Sequence, residues 1–211
     1  MNTDGHRPRR GFGFSLQLSA FSILLGGCSL PQPQPDPTRF YVLSAPALSA
    51  AEPTAKGSSV YLRPIELANY LKAKPMIVRR GNNEIEFREY ARWGEPLELG
   101  LGRVLREDLL ARGAARTVLS AGLRPLNVDC DFELGVRVLA CEGAADGGVN
   151  FRAVWELWAA GATPKMAAHG EFRSEGLKWD GKSEAALAEQ LSKAVSDLSG
   201  EIAAGLANAG K

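Results

Sequence analysis

Cysteine and histidine are the side chains most able to do chemistry here, and they are few. The 211-residue chain has three cysteines, Cys28, Cys130 and Cys141, and two histidines, His6 and His169. Cys28 directly follows Leu25-Gly26-Gly27. A thiolate is a strong nucleophile, and the two small residues before it let a processing enzyme hold the backbone closely. The chemistry this spacing suits is transfer of a diacylglyceryl group to the Cys28 sulfur. A zinc cluster needs four ligands, and once the leader with His6 is removed only Cys130, Cys141 and His169 remain beside Cys28. A Ser-His-Asp triad would have only His169 to draw on once the leader is removed. There is no G-x-x-x-x-G-K-S/T phosphate loop and no HExxH pair. These residues predict no catalytic residue, no metal site and no cofactor beyond lipid on Cys28.

The residues around Cys28 fit its acylation. HRPRR (6–10) is a positively charged leader, and FGFSLQLSAFSILL (Phe12–Leu25) is an apolar stretch of 14 residues. That is short of the roughly 20 residues a bilayer-spanning helix needs, and it matches a secretory signal. Leu25-Gly26-Gly27-Cys28 resembles the lipobox of bacterial lipoproteins. Residues 1–27 are then a removable signal peptide, and Cys28 becomes the first residue, carrying a diacylglyceryl and an N-acyl group. Three acyl chains exceed the two signals that stable anchoring requires. Ser29 stands where enterobacterial lipoproteins kept at the inner membrane carry Asp, which points to the outer membrane, on its periplasmic face. LPQPQPDPT (30–38) has proline at every second position and predicts an extended polyproline II spacer of roughly 25 Å, at about 3.1 Å per residue.

Charge excludes further partners. The net charge is +1, and residues 1–27 carry Arg7, Arg9 and Arg10 against Asp4, so the mature chain is at about −1. Such balance leaves no electrostatic footprint for nucleic acid and no overall basic excess toward anionic lipid. Hydrophobic residues at 45% and charged ones at 23% are ordinary for a folded domain.

The elements that position these residues follow from periodicity. RFYVLS (39–44) is apolar on both faces and predicts a central strand. SVYLRPIEL (59–67) alternates as a strand, and MIVRR (76–80) turns at Gly81-Asn82-Asn83 into EIEFREY (84–90) as a hairpin. Pro96 fits the first position of a helix in which Leu97, Leu101, Val104, Leu105 and Leu109 share a face, and Gly113 closes it. Gly100 and Gly102 suggest a close helix–sheet approach. RTVLS (116–120) predicts an edge strand. DFELGVRVLACE (131–142), VNFRAVWELW (149–158) and MAAHGEFRSEG (166–176) predict three antiparallel strands. A helix over about 183–207 starts at Ser183 and carries one apolar stripe from Leu187 to Leu206. The sum is an α+β domain over 39–208, an antiparallel-rich mixed sheet covered by two helices, joined to the signal by an acylated, proline-rich tether over 28–38.

Other candidates have plain structural explanations. Cys130 and Cys141 bracket one predicted strand of roughly 36 Å, far beyond the Cα separation of about 4.4–6.8 Å that a disulfide allows. His169 shares a strand face with Glu171 and Arg173, as a solvated residue would. Trp158 falls on the face opposite Trp155, beside Arg152 and Glu156. It is either a partner contact or a residue under the terminal helix.

Taken in order, the lipobox, the spacer, Thr38–Leu43, the Tyr70-Leu71 turn before Ile77-Val78-x-Arg80, Trp93-x-Glu95-Pro96-Leu97 and the carboxyl-terminal strands and helix resemble the ABC-type transport auxiliary lipoproteins, the PqiC (YmbA) family. The departures are Ala68, where proline is commoner, and Cys141, where an aromatic is commoner. The resemblance implies a non-enzymatic outer-membrane subunit of a transenvelope lipid transport system. Its partner is a periplasmic MCE-domain protein tied to an inner-membrane ATPase and permease, and relatives can form homo-oligomeric rings. Two other classes share parts of the pattern. A pilotin-like lipoprotein assisting an outer-membrane channel shares the anchor, and an envelope hydrolase would use a serine with His169.

Overall fold

The computed structural model describes residues 34–45, 57–120 and 129–210. The chain divides into two units, Met1–Asp36 and Pro37–Lys211. Among the described residues all regular structure lies in the second. In chain order it runs β1 (Arg39–Tyr41), β2 (Ser58–Leu62), β3 (Glu66–Leu67), a 3₁₀ turn (Asn69–Lys72), β4 (Pro75–Arg79), β5 (Ile85–Trp93), α1 (Leu97–Ala111), β6 (Ala115–Ser120), β7 (Phe132–Ala144), β8 (Val149–Ala159), β9 (Lys165–Arg173) and α2 (Glu184–Ala209).

The nine strands form one mixed sheet with β7 as its spine. β8 pairs antiparallel along β7, and β9 pairs antiparallel outside β8. The other side of β7 is shared by three parallel strands in succession, with Val60 of β2 opposite Phe132, Glu66 of β3 opposite Arg137, and Val78 of β4 opposite Gly143. Two branches leave from there. β6 lies parallel outside β2, while β5 lies antiparallel to β4 and β1 parallel to β5. The longest ladders are the antiparallel ones, and the class is α+β.

Both helices are packed through the predicted stripes. Leu101, Val104, Leu105 and Leu109 of α1, and Leu187, Val195, Leu198 and Ile202 of α2, have no exposed surface. A leucine buried to that extent contributes roughly 1.5–3 kcal/mol. Ser183 caps α2 by accepting a hydrogen bond from the Ala186 N–H. Pro96 sits one residue earlier than expected, at the N-cap of α1. Gly113 ends that helix at φ 66°, a left-handed value that side chains disfavour.

Three expectations need correction. The strand at RFYVLS is shorter and is an edge strand rather than a central one. Its apolar Phe40 and Val42 are exposed, while Leu43 is buried and Tyr41 packs half-buried against the core. The segment 59–67 is two strands, because Pro64 has no N–H for the ladder and bends the chain between β2 and β3. Gly100 does not meet the sheet. A Cβ there would lie 3.0 Å from the Glu95 carboxylate, and one at Gly102 would lie 3.6 Å from Ile65 in the β2–β3 bend.

Candidate functional site

Cys28 and its lipobox residues Leu25, Gly26 and Gly27 lie outside the described residues. The folded domain shows what the motifs downstream do. Trp93 and Leu97 are buried core residues, while Gly94 and Pro96 between them are exposed.

The Tyr70–Arg80 segment builds a buried charge cluster. Glu142 of β7 has no exposed surface. The Arg79 guanidinium grips it through Nε, and through Nη2 at 3.2 Å. The Tyr70 hydroxyl has two acceptors for its one proton, Glu142 Oε2 at 3.2 Å and the Leu139 carbonyl at 3.1 Å. The Asn150 amide, opposite on β8, donates to Oε1 at 2.7 Å. Burial, and then the charge of Glu142, push the Tyr70 hydroxyl up to about 12. The Glu142 hydrogen bond also raises Arg79. Every oxygen of the buried carboxylate is satisfied, so the cluster is a clasp rather than a reactive site. The sequence motif pointed to Arg80, but Arg80 pairs with Glu86 at the surface and Arg79 turns inward. The available signal was Glu142 beside Cys141 and Gly143 at the end of β7, with Asn150 opposite it across the turn.

Among the described residues, helices cover only one face of the sheet. Trp155 belongs to that face: its Nε1 donates to Glu201 of α2 at 2.7 Å. Trp158 is half-buried on the opposite side, paired with Glu133 and Met166, so it is not under α2. The open face holds a shallow depression of about 610 Å³ above Gly135. Arg63 lies over Gly135 and pairs with Glu156, Arg137 pairs with Glu66 at 2.6 Å, and Arg173 reaches Glu171 at 3.1 Å. His169 is exposed among these pairs, as its strand position predicted. Such alternation of charge can hold a protein partner. Cys130 and Cys141 are buried thiols, not bridged to one another. Burial and the neighbouring Glu142 raise the Cys141 thiol far above its usual range, so it stays protonated.

The family model for the ABC-type transport auxiliary lipoprotein component matches residues 41–203. The chain belongs to that family. The match runs from the last residue of β1 into the final turns of α2, and so takes in the clasp and both helices of this auxiliary lipoprotein. Membership makes it a membrane-anchored envelope component with an ABC-type transporter as partner. Among solved structures, protein XCC0632 from Xanthomonas campestris is similar at 15% identity and a TM-score of 0.63, over 79% of this chain and 93% of that one. An uncharacterized protein is similar at 19% identity and a TM-score of 0.53, over 70% and 90%. A PelC dodecamer from Paraburkholderia phytofirmans aligns at 16% identity and a TM-score of 0.39, over 77% and 92%. The first two likenesses show the same fold. No curated protein matches.

Proposed function

We propose that this auxiliary lipoprotein, acylated at Cys28, stands at the periplasmic face of the outer membrane as a non-catalytic subunit of an MCE/ABC-type lipid transport system. The observation that carries this is the family match over 41–203, with a lipobox and a proline-rich spacer directly upstream of it. The acyl chains fix location, the spacer sets reach, and the folded domain docks the periplasmic MCE protein. The open sheet face, with Trp158 at one end and paired charges across it, is the surface available for that contact, in a single copy or in a ring. Tethering at the membrane makes docking effectively intramolecular and raises local concentration without new contacts. Energy comes from the partner ATPase.

The test is crosslinking in cells, extraction in mild detergent and mass spectrometry of the purified protein. Enrichment of an MCE-domain protein and its ABC partners over a Cys28→Ala control is the expected result. Outer-membrane barrel or secretin components in their place would favour a pilotin-like role and refute the transport reading. Mutation of His169 to Ala leaves function intact.

A further inference from the structure

The end of the folded domain that meets the tether is unusual in two ways. Phe40, Val42 and Tyr90 are 66%, 54% and 51% exposed, and they lie together. Phe40 is opposite Arg92 in the β1–β5 ladder. A Cβ on Gly94 would stand 3.2 Å from Val42 and 3.8 Å from Phe40. Tyr90, Arg92 and Gly94 alternate with buried Ala91 and Trp93, and so share the outward side with Phe40 and Val42. The second oddity is charge. Arg92, on the outward side, and Arg39, opposite buried Ala91 on the other side of the same edge, have no acidic or carbonyl partner among the described residues, and Arg92 Nε is buried without a hydrogen bond. Every other described arginine is held by a carboxylate or a carbonyl.

We infer that this patch seats the domain on the phospholipid surface that holds its own anchor. Exposed aromatic side chains suit the boundary between headgroups and acyl chains, and unpaired guanidinium groups suit the phosphate oxygens. Connectivity selects this occupant. Phe40 follows Cys28 by twelve residues, a span of about 37 Å in polyproline II form and at most about 43 Å fully extended, so this end of the domain cannot stray far from the bilayer. A tether also converts a weak surface contact into a populated one, because the membrane is always within reach. The proline-rich spacer then sets the limit of excursion, and the patch sets the resting position. Net charge conceals such a site, because the two arginines are local and the rest of the surface is balanced.

The inference rests on acylation at Cys28, which intact mass of the purified protein checks separately. The full-length protein is reconstituted in vesicles of phosphatidylethanolamine and phosphatidylglycerol. An environment-sensitive fluorophore is attached through Phe40→Cys or Tyr90→Cys, with Glu171→Cys on the open face as control; buried Cys130 and Cys141 do not compete. The expected result is a blue-shifted emission at positions 40 and 90, and quenching by lipid-borne nitroxide several-fold greater than at 171. Arg92→Glu, on the same side as Phe40, moves the emission at 40 back toward its value in water. Water-like emission at 40 and 90 in acylated protein overturns the inference. So does a shift that appears without vesicles as protein concentration rises, which marks a second copy, or one that needs an added acidic protein. If the mass shows Cys28 unmodified, the anchor reading fails alone, and the same probes on added vesicles still decide the patch.

Discussion

Two glycines five residues apart on α2 make opposite demands on the same substitution. Alanine in place of glycine inside a helix is favourable by about 1 kcal/mol. At Gly200 the new Cβ would lie 3.5 Å from Arg112 Nη1, an ordinary contact with the end of a flexible side chain. At Gly205 it would lie 2.6 Å from Cη2 and 3.2 Å from Cζ3 of Trp155. The indole cannot retreat. Its Nε1 is bonded to Glu201 at 2.7 Å, and on its other side the backbone of Gly170 comes so close that a Cβ there would be 2.6 Å from Nε1. Overpacking of this kind costs about 1–3 kcal/mol, which exceeds the helical gain. Gly200→Ala is therefore expected to stabilise by up to about 1 kcal/mol and Gly205→Ala to destabilise by about 1 kcal/mol net. For a domain of this size that is roughly 2–4 °C in Tm per kcal/mol, in opposite directions. The assay is denaturant and thermal unfolding in a Cys28→Ala background, with unchanged m confirming that only stability moved. Trp155→Phe combined with Gly205→Ala should show favourable coupling, because the smaller ring vacates the contested space. Equal upward shifts for both alanines would refute the tight Trp155 seat.

Three further outcomes follow from the buried polar groups. Glu142→Ala leaves Arg79 and Asn150 without their carboxylate acceptor and Tyr70 with the Leu139 carbonyl alone. It should cost about 3 kcal/mol, the low end for breaking a buried pair because Arg79 is partly exposed; urea unfolding measures it, and a loss below about 1 kcal/mol would contradict the clasp. Tyr70 is held in its neutral form and titrates at about 12 rather than 10.0, so its contribution is complete below pH 10 and is lost as pH rises toward about 12. Tyr70→Phe should flatten the fall in stability across that window relative to the parent chain. Asp108, fully buried where α1 faces α2, has its pKa raised by burial, while the Ser196 and Ser199 hydroxyls and Arg112 oppose the shift. A raised carboxyl opposes folding once it is ionised, so Asp108→Asn should stabilise by about 1 kcal/mol at neutral pH. That gain should shrink as pH falls through the raised pKa toward the usual aspartate range, and a constant gain at all pH would refute the assignment.

The fold was legible where one physical signal dominated. The stripes of α1 and α2, the Ser183 cap and the alternation of β8 gave their elements to within a residue or two, because burial alone decides those positions. The strand at Arg39–Tyr41 misled because apolar residues on both faces usually mean a central strand, and here Phe40 and Val42 are outward at an edge. The division of 59–67 turned on one proline. The clasp was half legible: Tyr70 and the paired arginines stood out as a pattern, but which arginine turns inward depends on the meeting of β4 with β7, a contact between residues more than sixty apart in sequence. The mismatched arginines at 39 and 92 were not legible at all, since a free guanidinium is recognised only when every other one has found its partner.

The place of the clasp in the sheet explains why a buried charge cluster is kept there. The tether enters at β1, and β1 touches the sheet only through β5 and then β4. β4 in turn joins the spine through two register pairs, Val78 with Gly143 and Arg79 with Ala144, extended by the Ala145 N–H to the Arg79 carbonyl at 2.9 Å. Among the described residues that short ladder is the only strand pairing between the β1–β5–β4 branch and the spine, beside the contacts of β1 and β5 with α2. Two pairs of parallel strand are a weak joint by themselves. Arg79 and Glu142 sit at that joint, Tyr70 ties in the turn before β4, and Asn150 ties in β8. Apolar packing would bury surface equally well but would permit the strands to slide. A carboxylate with three directional donors fixes one register. The clasp, to which the recognised Tyr70 contributes, therefore holds the β1 end of the domain at a fixed position relative to the open face of the sheet.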